Sequence, residues 1–177
     1  MKRNRKSIRL RGYNYASDGA YFITICTKDR EHFFGHIVNG EHLLNEIGKI
    51  VSLEWENTVN IRKDVTLGEF VIMPNHFHGI VNIGNPELPM DNKVYHRLVI
   101  EDFTTEFKSP SKTLGAIIRG FKGALTKRIK ILGFENFAWH RNYYERIIRN
   151  QQELINIENY IKNNPLKWNE DEYFKLP

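Results

Sequence analysis

Cysteine is almost absent from this chain. With Cys26 alone, an intrachain disulfide and any metal centre built from cysteines are excluded. Long apolar runs are missing too: none approaches the roughly 20 residues of a membrane span, and the opening MKRNRKSIRL lacks the apolar stretch of a signal peptide. A reducing cytoplasm, with no membrane partner, is therefore the expected compartment. No internal repeat is evident. Acidic residues are absent from two stretches that are rich in base. Lys2, Arg3, Arg5, Lys6, Arg9 and Arg11 open the chain, and Lys112, Arg119, Lys122, Lys127, Arg128 and Lys130 follow one another later without an intervening acid.

What is present is the composition of a globular protein: 41% hydrophobic and 27% charged over 177 residues. That length suits a single domain spanning 1–177, long enough to bury about two-thirds of its unfolded surface. The overall excess of base, 26 Lys+Arg against 21 Asp+Glu, is modest. Its clustering, interleaved with aromatics, suggests a polyanion such as nucleic acid. Charge alone leaves a solvated helix face and a loose basic arm over residues 1–12 as the plainer account.

Periodicity divides the rest. Tyr21 to Thr27 is a β-branched and aromatic run, expected as the first core strand. Phe33 to Leu44 reads as a small hairpin turning at Asn39-Gly40. Asn45 to Val59 reads as a helix capped by Asn45, with Ile47, Ile50, Val51 and Leu53 near helical spacing. Leu67 to Met73 and His76 to Ile83 read as a core hairpin broken by Pro74-Asn75. Residues 84–111, with three prolines and little periodicity, read as a long mobile insertion. Ser111 is placed to cap a helix from Lys112 to about Leu132. Tyr143 to Arg149 then reads as a strand, and Gln151 to Asn164 as a last helix stopped by Pro165. The first six major elements give a split β-α-β pair. The fold class is therefore α+β: a ferredoxin-like antiparallel sheet with helices on one face, plus an extra C-terminal helix.

Within that frame, His76-Phe77-His78 is the sharpest local feature. Residues i and i+2 of a strand share a face, so the two imidazoles can converge on one ion or phosphate while Phe77 turns into packing. Two imidazoles form a partial ligand set that oxygen donors must complete. Two strand histidines bonded to ordinary neighbours fit the same pattern. In the last helix Leu154, Ile157 and Ile161 form one stripe, and Tyr160 and Asn164, four apart, sit at its edge. Asn164 could supply an oxygen ligand and Tyr160 a nucleophile; a packed tyrosine beside a helix-terminal asparagine is the alternative. The bias of a pre-proline residue against helical geometry makes the Tyr160–Asn164 pairing approximate.

MPNHFHGIV, WHRNYYERIIRN and NYIKNNPLKW, in this order and spacing, resemble the single-tyrosine transposases of the HUH class, named for His, hydrophobic, His. The resemblance is strongest to the REP-associated tyrosine transposases and spans about Arg11 to Trp168. It implies that His76, His78 and Asn164 hold a divalent metal ion, Mg²⁺ or Mn²⁺, and that Tyr160 is the nucleophile, carried on the C-terminal helix. The mixed nitrogen and oxygen donor set suits Mn²⁺ better than Mg²⁺. The implied reaction cleaves and rejoins single-stranded DNA, next to hairpins, through a 5′-phosphotyrosine. DNA contacts fall on Arg3, Arg5, Lys6, Arg9, Arg11, Lys112, Arg119, Lys122, Lys127 and Arg141.

Tyr143 and Tyr144 are the rival nucleophiles, read here as core or base-stacking residues. The order of motifs leaves open whether Tyr160 completes the site of its own chain or that of a partner in a homodimer. Two other activities compete: a non-catalytic nucleic-acid binder using Phe22, Phe70 and Phe77 as a stacking platform, and a metal-dependent phosphodiesterase in which water attacks.

Overall fold

The computed structural model describes residues 13–15, 17–86, 88 and 113–174. The basic arm with Arg3, Arg5, Lys6, Arg9 and Arg11, most of the 84–111 insertion, Ser111 and Lys112 lie outside the described residues. A four-stranded antiparallel sheet is built from β1 (Gly19–Cys26), β4 (Val65–Met73), β5 (His76–Ile83) and β6 (Tyr144–Ile148), in the order β4-β5-β1-β6. Counting only these four strands, the order is 2-3-1-4, the arrangement expected of a ferredoxin-like sheet. β2 (Gly35–Val38) and β3 (Glu41–Leu44) form a separate two-stranded ribbon. Its turn residues Asn39 and Gly40 both take positive φ, 52° and 79°, as a tight hairpin with right-handed strand twist requires.

Helix α1 (Glu46–Glu56) is capped by Asn45, whose side chain accepts from the Gly48 amide at 2.9 Å. It stops at Asn57, and a short α2 (Thr58–Ile61) follows, so the single helix expected to Val59 is two pieces. Helix α3 (Leu114–Ile131) begins three residues after Ser111; its cap is Thr113, which accepts from the Ala116 amide at 3.2 Å. Helix α4 (Gln151–Asn163) ends on Asn164, which keeps helical angles despite Pro165 because the chain tightens straight into a 3-10 helix, Pro165–Glu170. Among the described residues, no helix is long and apolar enough to cross a membrane.

The two faces of the sheet are closed by different helices. On one face Ile47, Val51 and Trp55 of α1 and Ile117, Phe121 and Leu125 of α3 pack on Tyr21, Ile23, Phe77 and Val81. Phe77 is fully buried there, its ring 4.7 Å from Trp55 and 5.7 Å from Phe121. Burying such a side chain contributes about 1.5–3 kcal/mol, so its place is in the core and not on a stacking platform. On the other face Ile157 and Ile161 of α4 pack on Ala20, Phe22, Ile80 and Ile148. Strand alternation therefore sends His76 and His78 to the α4 face.

Candidate active site

The tight turn that joins β4 to β5 sets the first half of the site. Asn75 is fully buried in it. Its amide nitrogen donates to the carbonyls of Arg30 at 3.2 Å and Tyr173 at 2.9 Å, and its Oδ1 accepts from His76 Nδ1 at 2.8 Å. An amide oxygen only accepts, so His76 carries its proton on Nδ1 and keeps a lone pair on Nε2. The His78 ring, 4.6 Å from that of His76, is held at Nδ1 by the Thr24 hydroxyl of β1, 2.8 Å away.

Helix α4 sets the second half. Its apolar stripe seats Ile157 and Ile161 on the sheet, and this places the Tyr160 hydroxyl 3.2 Å from Nε2 of His78 in the same chain. One turn on, Asn164 is buried and donates its amide to Asp171 Oδ2 at 3.1 Å. Two polar atoms at this junction, His76 Nε2 and Asn164 Oδ1, are buried without a hydrogen-bond partner. Leaving a polar group buried and unpaired costs about 1–3 kcal/mol, and a bound ion or water is one of the few things that offset it. His76, His78 and Asp171 bring three ligand atoms within 4.8 Å of one another. Two neutral imidazoles with carboxylate and amide oxygens beside them fit a divalent cation of intermediate hardness.

The electrostatics agree with that use. Burial, then the neighbouring His78, Arg30 and His42, holds His76 well below the usual imidazole value. Burial lowers His78 to about 3, against a bond to the Ile23 carbonyl that works the other way. Both rings are therefore neutral, the form that ligates metal. Tyr160 is pushed up to about 12, by burial first and then by the charges of Asp171 and Glu172, with the Asn164 amide opposing. Burial also raises Asp171.

A strap after the 3-10 helix covers the imidazoles. The Tyr173 ring lies 4.8 Å from that of His76, with the Arg30 guanidinium 5.2 Å above it. Arg30 also donates to the Glu172 carbonyl at 2.8 Å. Beside the strap a cleft of about 970 Å³ opens, lined by Phe22, His78, Tyr144, Arg146, Arg149 and Tyr160 among others.

The structure thus brings His76, His78, Tyr160 and Asn164 together. It does not bring Arg119, Lys122 or Lys127 to them: these belong to α3, on the far face of the sheet. Arg119 and Lys127 are exposed there. Lys122 is turned to the loop before β6, donating to the carbonyls of His140 at 2.7 Å and Arg141 at 3.4 Å. Arg141 itself is exposed in that loop. Residues the sequence reading missed are Asp171, Asn75, Thr24, Arg146 and Arg149. Asp171 sits in irregular chain with no period to mark it. Asn75 was visible only as a turn residue beside the His-x-His pair.

No protein-family model matches the chain. An uncharacterized protein of Haemophilus influenzae is 41% identical over 176 residues, which cover 97% of this chain and 93% of the other. Among solved structures, a REP-associated tyrosine transposase bound to a REP hairpin superposes with a TM-score of 0.55 at 19% identity, over 90% of this chain and 73% of that one. At that identity the likeness establishes a shared fold.

Proposed function

We propose that this chain, which belongs to one sequence family with the Haemophilus influenzae protein, is a tyrosine transposase-like enzyme that cleaves and rejoins single-stranded DNA beside hairpins. The observation that carries the reading is the Tyr160 hydroxyl 3.2 Å from His78 Nε2, next to two orphaned ligand atoms. The hairpin-bound transposase with which the chain shares its fold supports the same substrate class.

In this reading the Tyr160 oxygen attacks a backbone phosphorus as the 3′-oxygen leaves. A 5′-phosphotyrosine and a free 3′-hydroxyl result, and a second 3′-hydroxyl reverses the step to join a new strand. Phenol suits this exchange because, with an ordinary pKa of about 10, it leaves more readily than a sugar hydroxyl. His76, His78 and Asn164, with Asp171 within reach, would hold Mn²⁺ or Mg²⁺, which supplies Lewis-acid withdrawal of charge from the phosphate. His78 Nε2 has two claims on it: the hydrogen bond that parks Tyr160, and a place in the ligand set. Were His78 Nε2 to serve the metal, the Tyr160 hydroxyl, already on the cleft wall, would lose that partner and be available to the phosphate. Arg146 and Arg149 line that cleft, and together with the basic arm they would supply the phosphate contacts, so binding should weaken steeply with salt.

The test is Tyr160→Phe, incubated with hairpin-bearing single strands and Mn²⁺ and run on a denaturing gel. The covalent adduct should vanish while DNA binding stays nearly intact. Adducts that persist would place the nucleophile elsewhere, at Tyr143 or Tyr144 first. Cleavage by the wild type without any adduct would assign the attack to water.

A further inference from the structure

Behind Tyr144 lies a second cavity, of about 430 Å³, lined by Thr24, Cys26, His140, Asn142, Tyr143, Tyr144 and Tyr173 among others. That volume falls in the range of roughly 300–1,000 Å³ that receives small organic ligands. Thr24, Tyr144 and Tyr173 line both this cavity and the cleft. Tyr144 is thus a shared wall, and it is 52% exposed, a large aromatic left open to solvent at the start of a core strand.

Most polar groups around the cavity are already engaged. Thr27 Oγ1 donates to the carbonyls of Glu31 and Asn75, and Arg30 is committed to Glu172 and the Tyr173 ring. Asn142 differs: its backbone oxygen lies 3.4 Å from His140 Nδ1, while the residue is exposed on the cavity lining. An aromatic wall beside an amide that both donates and accepts is the chemistry that holds a nucleobase. Stacking accepts any base, whereas a bidentate asparagine matches the donor–acceptor edge of adenine.

We propose that this cavity receives one unstacked base of the DNA strand bound in the cleft, stacked on Tyr144 and read by Asn142 with a preference for adenine. The proposal rests on the single-stranded DNA reading above. It gives a task to the Tyr143-Tyr144 pair and to Asn142 beside it, which the nucleophile and the metal ligands leave unused.

The experiment uses the full chain and a hairpin with a single-stranded flank, in which an abasic nucleotide is walked along the flank. Affinity is read by fluorescence anisotropy without metal, and adduct formation with Mn²⁺ is read in parallel. One position should stand out, where losing the base weakens binding roughly tenfold, within the range for one stacked base, and where adenine outbinds the other three bases. At these two exposed positions, Tyr144→Ala should weaken the intact strand and erase that position's penalty, and Asn142→Ala should reduce the penalty and erase the preference for adenine. A uniform abasic profile, or a penalty unchanged in both variants, overturns the pocket. If adducts at Tyr160 still form in that case, the strand-transfer reading survives without it. Absence of both binding and adducts overturns the two together.

Discussion

At the residue scale, the site depends on groups that never touch the DNA. His76 could present either nitrogen, and Asn75 decides which. Its Oδ1 takes the Nδ1 proton at 2.8 Å, so Nε2 faces the junction with Asn164 and Asp171. Supporting partners of this kind typically change metal affinity 10- to 100-fold. Asn75→Ala should therefore weaken Mn²⁺ binding, measured calorimetrically on DNA-free protein, by about that factor. The same side chain ties down the Arg30 and Tyr173 carbonyls, so a thermal melt of the metal-free variant must accompany the titration. Unchanged affinity in a folded variant would mean that His76 is oriented by packing alone. Asp171 offers a second handle: its charge helps hold Tyr160 up near 12. Asp171→Asn should bring the pKa of this phenol down toward its ordinary value, read on metal-free protein as the difference between absorbance titrations with Tyr160 present and with Tyr160→Phe, since the chain has eight tyrosines. A titration that does not move would show that burial and Glu172 account for the shift without Asp171.

At the scale of elements, α4 does the positioning. Its N-terminus is fixed by Asn150, whose side chain accepts from the Glu153 amide at 2.8 Å. Glu153 in turn accepts from the Arg149 amide and pairs with Arg146. Loss of such a cap costs about 1 kcal/mol. Asn150→Ala should lower the urea midpoint accordingly, with the denaturant slope unchanged; an unaltered midpoint would show that the apolar stripe alone holds the helix. That stripe was legible beforehand because Leu154, Ile157 and Ile161 repeat at the helical period, and the His76–His78 face because strands alternate. The order of elements likewise carried the sheet arrangement. That α1 and α3 share one face was carried by the same order; how the basic side of α3 would lie relative to the imidazoles was not legible. Its sequence displays an apolar face and a basic face, but periodicity says only that one face is buried, not against which surface. Arg119, Lys122 and Lys127 were read as DNA contacts by charge, and the sheet stands between them and the imidazoles. Asp171 and the Tyr173 strap escaped for a different reason: their place comes from tertiary contacts with Asn164, Asn75 and Arg30, which leave no local pattern.

For the whole molecule, the division of the sheet into two faces separates stability from chemistry. The α1–α3 face holds most of the aromatic core and is stitched at its rim by the Arg128–Glu54 ion pair. The α4 face carries a smaller apolar cluster and surrenders the rest of its area to the imidazoles and the cleft. One consequence is acid sensitivity. His76, His78 and, in the β2–β3 ribbon, His42 are buried enough to stay neutral, with His42 brought down to about 4 mainly by burial. Unfolding restores an ordinary value of about 6.5. Between these limits the unfolded chain binds a proton that the folded chain refuses, so stability is full above about 6.5 and falls as pH drops toward 4. His42 is the cleanest probe of this, since it lies outside the proposed ligand set. In metal-free protein, His42→Leu should make the decline of unfolding free energy between pH 6.5 and 4 shallower than in the wild type. The histidine pair would remain to supply the rest of the slope. Parallel declines in the two proteins would mean that the ribbon opens around His42 before the molecule unfolds, and would leave the acid response to the α4 face alone.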